Sequence, residues 1–336
     1  MPATIRDVAQ KANVGVGTVS RVLNDSPAVR EETRNKVLAA IAELDYTPNP
    51  IARRLSTGQT LTIGVILPYL TMPSYIERLR GVQDTLANSK YDLVLFAVEN
   101  ESQRDAYFQN FSLKSKVDGV LLISLPPNDE QAERFAKSNI PTVLVDAYHP
   151  SLCCVIPDDY GGGKLATQHL IDIGHRKIGF ISDFIDTVFH PSMRYRYQAY
   201  RETLAANGIP FYPEYQIEGD RGRAPARKMA HKLLSQDDPP TAIFAAYDSQ
   251  AIGILDLAQE MGVKVPEELS VIGYDNIRDA EYVNLTTINQ RLDQSGRQGA
   301  TMLLEMLTTD QSHLECKQTI PAELLVRGTT APPVTK

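Results

Sequence analysis

The sequence predicts a small all-α head followed by an α/β body made of two parallel-sheet subdomains. Three observations predict this fold class. Short helical patterns fill residues 1–45, a proline-containing stretch interrupts the chain at 46–61, and strands and helices alternate from Thr62 onward. A chain of 336 residues is also too long for one compact core, so more than one domain is expected.

Three short helices are predicted in the head, over Ile5–Lys11, Gly17–Leu23 and Glu31–Asp45. Apolar residues recur at helical spacing in each of them. Thr4 is placed to cap the first helix, with Asp7 three residues later in a capping-box pattern. Helices of this size bury little surface, so the head is expected to be only marginally stable alone.

The stretch that follows the head contains one more short helical pattern. Pro48 and Pro50 flank Asn49, and residues 51–55 are long enough for about one and a half helical turns. So short a helix is unstable in water without a partner. Residues 56–61 are equally consistent with a plain interdomain linker.

The body alternates strands and helices in two consecutive runs. The first runs from the strand Thr62–Leu67 to the strand Pro141–Val145, and the second from the helix Lys164–Ile173 to the strand Ser270–Gly273. The helix Gln294–Leu307 and the strand Lys317–Ile320 follow. This alternation predicts parallel sheets covered on both faces, with ligands beyond the carboxyl ends of the strands.

Charge and cysteine content narrow the class of protein. Net charge is −7, but residues 1–59 carry +2 and the remainder −9, which fits a nucleic-acid-binding head on a body that avoids nucleic acid. The three cysteines show no spacing typical of a disulfide framework or a metal site, so reduced thiols are expected. With no signal-peptide pattern and no membrane-length apolar run, we expect a cytoplasmic protein without a membrane partner.

The first two helices fit a helix-turn-helix, in which the second helix enters the major groove of DNA. Arg21 on its outward face is able to bond a guanine edge at two points. Thr18, Ser20 and Asn24 are placed to bond phosphates and so fix the register. A small packed head without any ligand is the alternative, and periodicity alone does not decide between the two.

Short motifs along the whole chain point to one family. They are Thr4-Ile5-Arg6-Asp7-Val8-Ala9, Thr18-Val19-Ser20-Arg21-Val22-Leu23-Asn24, Glu32-Thr33-Arg34, Pro48-Asn49, Ala52-Arg53, Leu55, Asp118-Gly119-Val120, Gly174-His175-Arg176, Val271-Ile272-Gly273-Tyr274-Asp275-Asn276 and Leu285-Thr286-Thr287-Ile288. In this order they resemble the LacI/GalR family of bacterial transcription regulators. The resemblance implies a homodimeric regulator, most simply a repressor, that binds a near-palindromic operator and responds to a small-molecule effector.

The resemblance also implies a domain organisation. A helix-turn-helix domain spans 1–46, and a hinge helix with its linker spans 47–61. The body is similar to the family's periplasmic-binding-protein-like core, whose effector cleft lies between two subdomains. The N-terminal subdomain takes in 62–159 with about 291–319, and the C-terminal subdomain takes in 160–290 with about 320–330.

Further DNA contacts follow from the resemblance. Thr4 and the start of the second helix join the contact positions, together with Ala52 and Leu55 in a hinge helix that orders on operator DNA. Leu55 matches the family's leucine wedge, which kinks the duplex from the minor groove.

The start of the second helix departs from the family pattern. Gly15 stands where the family usually has a capping Ser, so this helix is expected to begin less firmly. Gly17 has no side chain to read a base, and Val16 is able at most to touch a thymine methyl. Specificity is therefore expected to depend on Arg21 and on the deformability of the DNA.

Motif matching carries effector-binding positions onto the body. They are Asp146, Arg196, Tyr247, Asp275 and Gln290, with less support for Tyr75 and Arg221. Aspartate and arginine suit a sugar, because their forked groups hold two adjacent hydroxyls at once. Each position also has a plainer reading, with Asp146 and Asp275 as loop caps and Arg196 as a surface residue.

The effector class stays open at this point. Tyr247 replaces the family's usual Asn, and Ala199 its usual Gly. Arg221, Arg223, Arg227 and Lys228 form a basic run, which fits an anionic effector such as a sugar phosphate, although a solvated helix face explains such runs more often.

Two other classes of function fit the sequence less well. One is an α/β enzyme with a regulatory head, but the sequence shows no nucleophile–base pair and no metal-ligand spacing. It also lacks a phosphate-binding loop, because Leu165 follows Lys164 where such a loop needs Ser or Thr. A plain sugar-binding protein is disfavoured by the missing signal peptide. No enzyme activity, catalytic residue or cofactor is predicted.

Overall fold

The computed structural model describes residues 3–23, 26–46, 59–109, 116–185, 189, 192–308 and 315–334. The chain divides into two compact units between Thr60 and Leu61. Asn24, Ala52 and Leu55 lie outside the described residues, as does the predicted hinge helix. The predicted bounds of the head, the linker and the two subdomains stay predictions.

The helices and strands follow one another in the order that the alternation predicts. The helices are α1 Ile5–Lys11, α2 Val16–Leu23, α3 Glu31–Glu43, α4 Pro73–Leu86, α5 Glu101–Gln109, α6 Asp129–Lys137, α7 Asp159–Asp172, α8 Ser192–Ala206, α9 Arg223–Leu234, α10 Asp248–Met261, α11 Arg278–Tyr282 and α12 Leu292–Thr308. The strands are β1 Thr62–Pro68, β2 Asp92–Val98, β3 Gly119–Ile123, β4 Thr142–Val145, β5 Cys153–Pro157, β6 Ile178–Asp183, β7 Gln216–Gly219, β8 Ala242–Ala245, β9 Ser270–Asp275, β10 Thr286–Asn289, β11 Lys317–Ile320 and β12 Glu323–Leu325.

The head packs its three helices around a small apolar cluster. Val8 of α1, Val19 and Val22 of α2, and Val37 of α3 are buried at its centre. The capping box predicted for α1 is confirmed, since the Thr4 side chain accepts from the Asp7 amide and the Asp7 carboxylate accepts from the Thr4 amide at 2.8 Å. Because α1 packs against α2 in this cluster, a firm start to α1 helps to fix the position of α2.

The body contains two six-stranded sheets. The first has the strand order β11-β5-β4-β3-β1-β2, and the second has β12-β10-β9-β8-β6-β7. The pairings are parallel except that of β10 with β12. Central strands such as β3 are buried along their whole length, which is why they read as continuous apolar runs. In both sheets the parallel strands therefore direct their carboxyl ends to one edge.

Several short elements were missing from the sequence prediction. They are β5, β7, β10, β12 and α11, each of three to five residues. Segments this short carry too few residues for a periodic pattern to show. Strand β5 precedes Asp159 and β10 precedes Gln290, so leaving these strands out affected the predicted site as well as the predicted fold.

Helix α7 begins at Asp159, five residues before the predicted start at Lys164. The glycines at its start explain the error, because glycine is a poor helix former but here permits close packing. A Cβ on Gly162 would lie 2.0 Å from the Tyr274 hydroxyl oxygen, and one on Gly163 would lie 2.9 Å from the Arg196 carbonyl oxygen. The glycines thus let α7 approach α8 and β9.

The expectation of reduced thiols is wrong for two of the cysteines. Cys153 at the start of β5 is disulfide-bonded to Cys316, which directly precedes the neighbouring strand β11. The two positions are 163 residues apart, so local spacing held no indication of the bond. Cys154 is free and buried. In the described part of the chain, no helix combines the length and apolar character needed to cross a membrane.

Candidate functional site

Helix α2 presents the DNA-contact residues that the sequence predicts. Val19 and Val22 are buried against the head, while Val16, Gly17 and Arg21 are exposed and Thr18 and Ser20 are partly exposed. The Arg21 backbone carbonyl accepts from the Ser26 amide, but its guanidinium makes no ion pair or hydrogen bond with the described residues. Its guanidinium is therefore available to a ligand outside the protein.

Helix α2 begins without a capping side chain. The Gly15 carbonyl oxygen accepts from the Thr18 amide at 2.8 Å and from the Val19 amide at 3.3 Å. A Cβ added to Gly15 or Gly17 would meet no atom within 4 Å, so both positions face open space. Thr4 is exposed at the start of α1, and its hydroxyl bonds the Asp7 carboxylate at 2.7 Å.

In the body, the predicted effector residues gather where parallel strands end. Asp146 directly follows β4, Asp275 ends β9, Gln290 directly follows β10 and Tyr247 comes two residues after β8. The residues just beyond the strand ends bring these side chains together at one edge. Asp146 and Asp275 both have positive φ, at +55° and +118°, so the chain turns sharply as it leaves the sheet.

Arg196 of α8 is the centre of the buried arrangement and is only 2% exposed. Its Nε donates to Asp159 Oδ1 at 2.9 Å, and its Nη1 donates to the Ala246 carbonyl oxygen at 2.6 Å. Asp275 Oδ1 lies 3.8 Å from Nη1. The guanidinium carbon also sits 3.7 Å from the centre of the Tyr274 ring, a cation–π contact. Arg196 is thus a buried and paired residue, which excludes its reading as a surface residue.

A second arginine, Arg78 of α4, joins the two sheets. Its Nη2 lies 3.1 Å from Asp146 Oδ2 and donates to Gln290 Oε1 at 3.2 Å. Gln290 in turn donates through Nε2 to Asp275, and Ser124 donates to Asp146. A continuous series of hydrogen bonds and ion pairs therefore runs from Asp146, through Arg78 and Gln290, to Asp275.

A third cluster holds two further predicted residues. Tyr247 donates its hydroxyl to Asp183 Oδ1 at 2.6 Å, and Arg221 Nε donates to Asp183 Oδ2 at 2.6 Å. The Arg221 guanidinium lies 4.5 Å from the centre of the Tyr69 ring. Tyr247 also faces Arg196, whose guanidinium carbon is 5.7 Å from the ring centre. We call the linked residues the polar network: Arg78, Ser124, Asp146, Asp159, Asp183, Arg196, Arg221, Tyr247, Asp275 and Gln290.

Burial changes the acidity of the network. It raises the pKa of Asp159 to about 6, in opposition to the lowering by Arg196. Burial likewise raises the pKa of Asp275 to about 6, again against Arg196. The pKa of the Tyr247 hydroxyl is raised by burial and by the Asp183 carboxylate, so it stays a donor. At neutral pH the aspartates are mainly acceptors and Tyr247 is a donor, which is the mixture that a polyhydroxylated ligand requires.

Two cavities open on opposite ends of the network. One, of about 440 Å³, is lined by residues that include Tyr69, Asp183, Phe184 and Arg221. The other, of about 410 Å³, includes Asp146 and Asp159 in its lining. Both volumes lie in the range typical of small-molecule sites.

The structure brings six of the seven predicted effector residues into the polar network: Asp146, Arg196, Arg221, Tyr247, Asp275 and Gln290. Tyr75 is instead fully buried in the apolar core under the first sheet. Most of the basic run is neutralised, because Arg223 pairs with Asp256 and Arg227 with Glu260. Only Arg221 of that run reaches the network.

Sequence reasoning missed Arg78, Asp159 and Asp183. Arg78 shares the buried face of α4 with Tyr75 and Val82, and an arginine on an apolar helical face was the available indication. Asp183 is the last residue of β6, a strand end like the predicted ones. Asp159 follows β5, which was not predicted. Within the described ranges no cluster of His, Cys, Asp or Glu is arranged to hold a metal ion.

Comparisons with known proteins match both units. Residues 4–49 match bacterial regulatory proteins of the lacI family, and residues 167–330 match the periplasmic binding protein-like domain. The chain is 33% identical to catabolite control protein A of Priestia megaterium over 92% of this chain and 94% of that one. It is 34% identical to the HTH-type transcriptional repressor PurR of Photobacterium profundum, over 97% and 98%.

Solved structures agree with this match. The lac repressor dimer bound to operator and the anti-inducer ONPF superposes with a TM-score of 0.86 at 28% identity, over 98% of this chain and 100% of that one. The transcriptional regulator CelR in complex with cellobiose gives a TM-score of 0.70 at 30% identity, over 97% and 99%. These likenesses confirm the predicted fold class, and the relatives are regulators rather than enzymes.

Proposed function

Because the chain belongs to the lacI family of bacterial regulatory proteins, a DNA-binding and effector-controlled class of repressor, we propose that its effector is an uncharged sugar. The polar network binds the sugar, and α2 reads the operator. The first observation in support is the network itself, a buried series of alternating carboxylates and guanidiniums at the strand ends.

The charge balance of the network favours a neutral ligand. The network contains four carboxylates and three guanidiniums, which leaves one excess negative charge when all are ionised. The carboxylates are those of Asp146, Asp159, Asp183 and Asp275, and the guanidiniums are those of Arg78, Arg196 and Arg221. An added phosphate would bury a like charge at considerable cost. This weighs against the sugar phosphate that the basic run left open, since two arginines of that run pair at the surface instead.

Hydrogen-bonding capacity points the same way. Arg78 Nε and Arg221 Nη1 are buried donors that find no acceptor among the described residues. Leaving such donors unsatisfied costs free energy, so oxygen acceptors are favoured beside them. Sugar hydroxyls accept and donate at once and suit both these donors and the aspartates. The neighbouring structure that binds cellobiose provides independent support for the sugar class.

We assign DNA reading to α2. Arg21 reads a guanine edge in the major groove, while Thr4, Thr18, Ser20 and Asn24 bond the backbone and fix the register. Val16 contacts a thymine methyl, and Gly17, which has no side chain, lets the helix backbone come close to the DNA. Ala52 and Leu55 act in the minor groove through the hinge helix, with Leu55 as the wedge.

A homodimer fits the exposed apolar surface of the body. Val94 and Leu95 on the edge strand β2 are exposed, as are Tyr282 and Val283 at the end of α11. The Glu77–Arg278 ion pair, at 3.8 Å, joins α4 to α11. Exposed apolar residues of this kind suit an interaction site, and a second copy would bring two heads to a near-palindromic operator. Light scattering at micromolar concentration is expected to show a dimer.

Effector control works through differential affinity. A sugar that replaces protein–protein bonds of the network favours one arrangement of the two sheets, and operator affinity changes by the same coupling free energy. The sign of that change separates an inducer from a co-repressor. Binding to operator DNA also implies action in the bacterial cytoplasm.

The experiment that tests the proposal is a thermal-shift screen of the full chain. Neutral mono- and disaccharides are compared with the corresponding sugar phosphates, because a ligand of the folded state raises the melting temperature by mass action. We expect a neutral sugar to give the largest rise and Arg196→Lys to abolish it. A sugar phosphate that gives a larger rise than every neutral sugar would contradict the proposed effector class.

A further inference from the structure

We propose that the disulfide between Cys153 and Cys316 is a reversible redox modification site, and that its state changes the polar network and operator affinity. The bond joins the first residue of β5 to the residue before β11. Because the protein is proposed to act on operator DNA in the cytoplasm, it meets a thiol-reducing environment whatever its effector is. Disulfides that form in that environment are usually transient and serve catalysis or redox sensing.

The main chain holds the two cysteines side by side in the first sheet. The register of β11 on β5 pairs Lys317 with Cys154, so Cys316 falls opposite Cys153. The Cys316 carbonyl oxygen also accepts from the Cys154 amide at 2.7 Å. These main-chain bonds do not involve sulfur. The reduced thiols therefore stay close together, and the disulfide re-forms without a search through many conformations.

The two bonded cysteines differ in their access to solvent. Cys316 is exposed, whereas Cys153 is only 7% exposed. The thiolate of a low-molecular-weight thiol therefore attacks the Cys316 sulfur. A mixed disulfide forms at Cys316, the Cys153–Cys316 bond breaks, and Cys153 leaves as a thiolate that takes up a proton.

A second low-molecular-weight thiol completes the reduction. It attacks the mixed disulfide, becomes joined to the first thiol in an external disulfide, and releases Cys316 as a thiol. Two external thiols thus lose two electrons and two protons, and two protein thiols gain them. The same external disulfide, acting as the oxidant, reverses both steps.

The third cysteine takes no part in this exchange. Cys154 is 1% exposed, and burial raises the pKa of its thiol although the positive charge of Lys317 acts in the opposite direction. Thiol exchange requires the thiolate and access to it. Cys154 therefore remains an inert thiol beside a reactive pair, which makes it a control for the experiment.

The bonded strands continue directly into connections between the two sheets. Strand β5 leads through Asp158 into α7, which packs on the second sheet, and only Pro321 and Ala322 separate β11 from β12 of that sheet. The Asp158 amide donates to the Ile320 carbonyl oxygen at 2.9 Å where the two connections begin. The disulfide therefore closes one end of the β5–β11 pair, and both connections leave from the other end.

The same two strands form one wall of a cavity beside the polar network. The cavity of about 410 Å³ is lined by residues 156–159 on the side of β5 and by Lys317 and Thr319 of β11. Asp159 pairs with Arg196 Nη2 at 2.8 Å, in the centre of the network. Breaking the disulfide frees the start of β11, an edge strand, so this wall is held less firmly. The redox state thus favours one arrangement of the two sheets, which couples it to operator affinity.

The test compares the oxidised and the reduced full chain. Dithiothreitol prepares the reduced form, and glutathione disulfide restores the oxidised form. Alkylation after denaturation should label one cysteine in the oxidised form and all three in the reduced form. We expect the affinity for a genomic fragment that the chain prefers, measured by fluorescence anisotropy, to differ at least about fivefold between the two forms.

Hydrogen exchange provides a second measurement, which needs neither operator nor effector. The amides of Cys154 and Asp158 bond carbonyl oxygens of the β11 segment, so they should exchange about tenfold faster in the reduced form. The Ser124 amide bonds the Val145 carbonyl oxygen in the centre of the sheet and should exchange equally in both forms.

Two variants separate the redox site from a general effect of the reagents. Cys316→Ser should keep the affinity and the exchange rates of the reduced form under both conditions, because it cannot form the bond. Cys154→Ala should keep the full redox response.

A disulfide that excess dithiothreitol cannot reduce in the folded protein would overturn the inference. Equal operator affinity of the two forms would overturn it as well, as would equal exchange of the Cys154 and Asp158 amides or a redox response that Cys316→Ser retains. In each of these cases the proposed function would stand. A chain that prefers no genomic fragment in either form would instead overturn the proposed function together with the coupling to operator affinity.

Discussion

The surface of α2 and the polar network of the body both depend on an arginine, but they use it in opposite ways. The Arg21 side chain is exposed, and its guanidinium has no partner among the described residues. Arg196 is buried, and although burial lowers its pKa, the carboxylates of Asp159 and Asp275 raise that pKa above its ordinary value. The head therefore keeps its charge in water for an external polyanion. The body holds its charges against one another, where a ligand must exchange existing bonds.

This difference predicts where a lost arginine affects stability and where it affects affinity. A charge kept in water costs little to remove from the folded protein, but its loss weakens binding. A buried charge leaves an unpaired partner behind when it is removed, which costs more. The predictions below test this contrast, beginning with the largest expected effect.

Arg196→Met should destabilise the body by about 3–5 kcal/mol, because it leaves the buried Asp159 carboxylate without its main partner. Urea unfolding of the full chain measures the change. Arg201→Met is the matched control on the same helix, since Arg201 is exposed and contacts Phe211 through a cation–π interaction. Similar losses for the two variants would mean that Arg196 behaves as a surface residue.

Arg21→Ala should leave the stability of the protein almost unchanged and weaken operator binding by about 1–3 kcal/mol, the value of a bidentate guanine contact. Fluorescence anisotropy at fixed salt measures the affinity. Lys11→Ala serves as the control in the head, because the Lys11 ammonium pairs with Glu43 at the surface and such pairs contribute little. Undiminished preference of Arg21→Ala for the operator would remove Arg21 from base reading.

The pH dependence of stability should reveal the buried Asp275. Its pKa is raised from 3.8 to about 6 in the folded protein, so the protonated form is favoured by folding. The associated stability is fully present below about pH 4 and is lost as pH rises through 6. The Asp275→Asn variant does not show this loss of stability, because an amide does not ionise. The unfolding free energy of the variant minus that of the parent should therefore rise from pH 4 to pH 7, on the order of 1 kcal/mol per pKa unit.

Urea unfolding at several pH values gives this difference directly. A difference that falls with increasing pH would show that Asp275 is stabilised as a carboxylate in the folded state. That result would contradict the conclusion that burial raises the pKa of Asp275 in the folded protein.

Gly15→Ser should give the smallest effect, a gain of a few tenths of a kcal/mol in the stability of α2. Gly15 precedes the helix, and an added side chain meets no atom within 4 Å, so the serine hydroxyl is free to cap an amide. Hydrogen exchange of the Thr18 and Val19 amides measures the change. Faster exchange of these amides in the variant would contradict this account of the helix start.

The same contrast explains how much of the molecule could be predicted from its sequence. The capping box of Thr4 and the orientation of Val19 are local patterns of a few residues, and the structure agrees with them. The strand before Asp146 was predicted from its apolar run, whereas Asp275 was identified by its motif, since the predicted strand before it ended at Gly273 and the observed β9 extends to Asp275. Local patterns were therefore sufficient for the surface of α2, while the residues of the polar network were predicted from the family's motifs.

The remainder of the network depends on contacts between distant segments. Arg78 meets Gln290 across 212 residues of sequence, a separation that no periodic pattern reports. Asp159 was missed because β5 is a short strand followed by glycines, which are ordinarily unfavourable in helices. A buried polar cluster is fixed by tertiary packing, and its members are recognised only once the strands and helices are assembled.

The measurement that tests the central claim most directly is the binding of the full chain to genomic fragments and to random duplex DNA, at one salt concentration, with and without each neutral sugar. We expect one fragment to bind about 10³-fold or more tightly than random duplex, and a sugar that binds the network to change that ratio. Equal binding of every fragment and random duplex, unaltered by any sugar, would contradict the account.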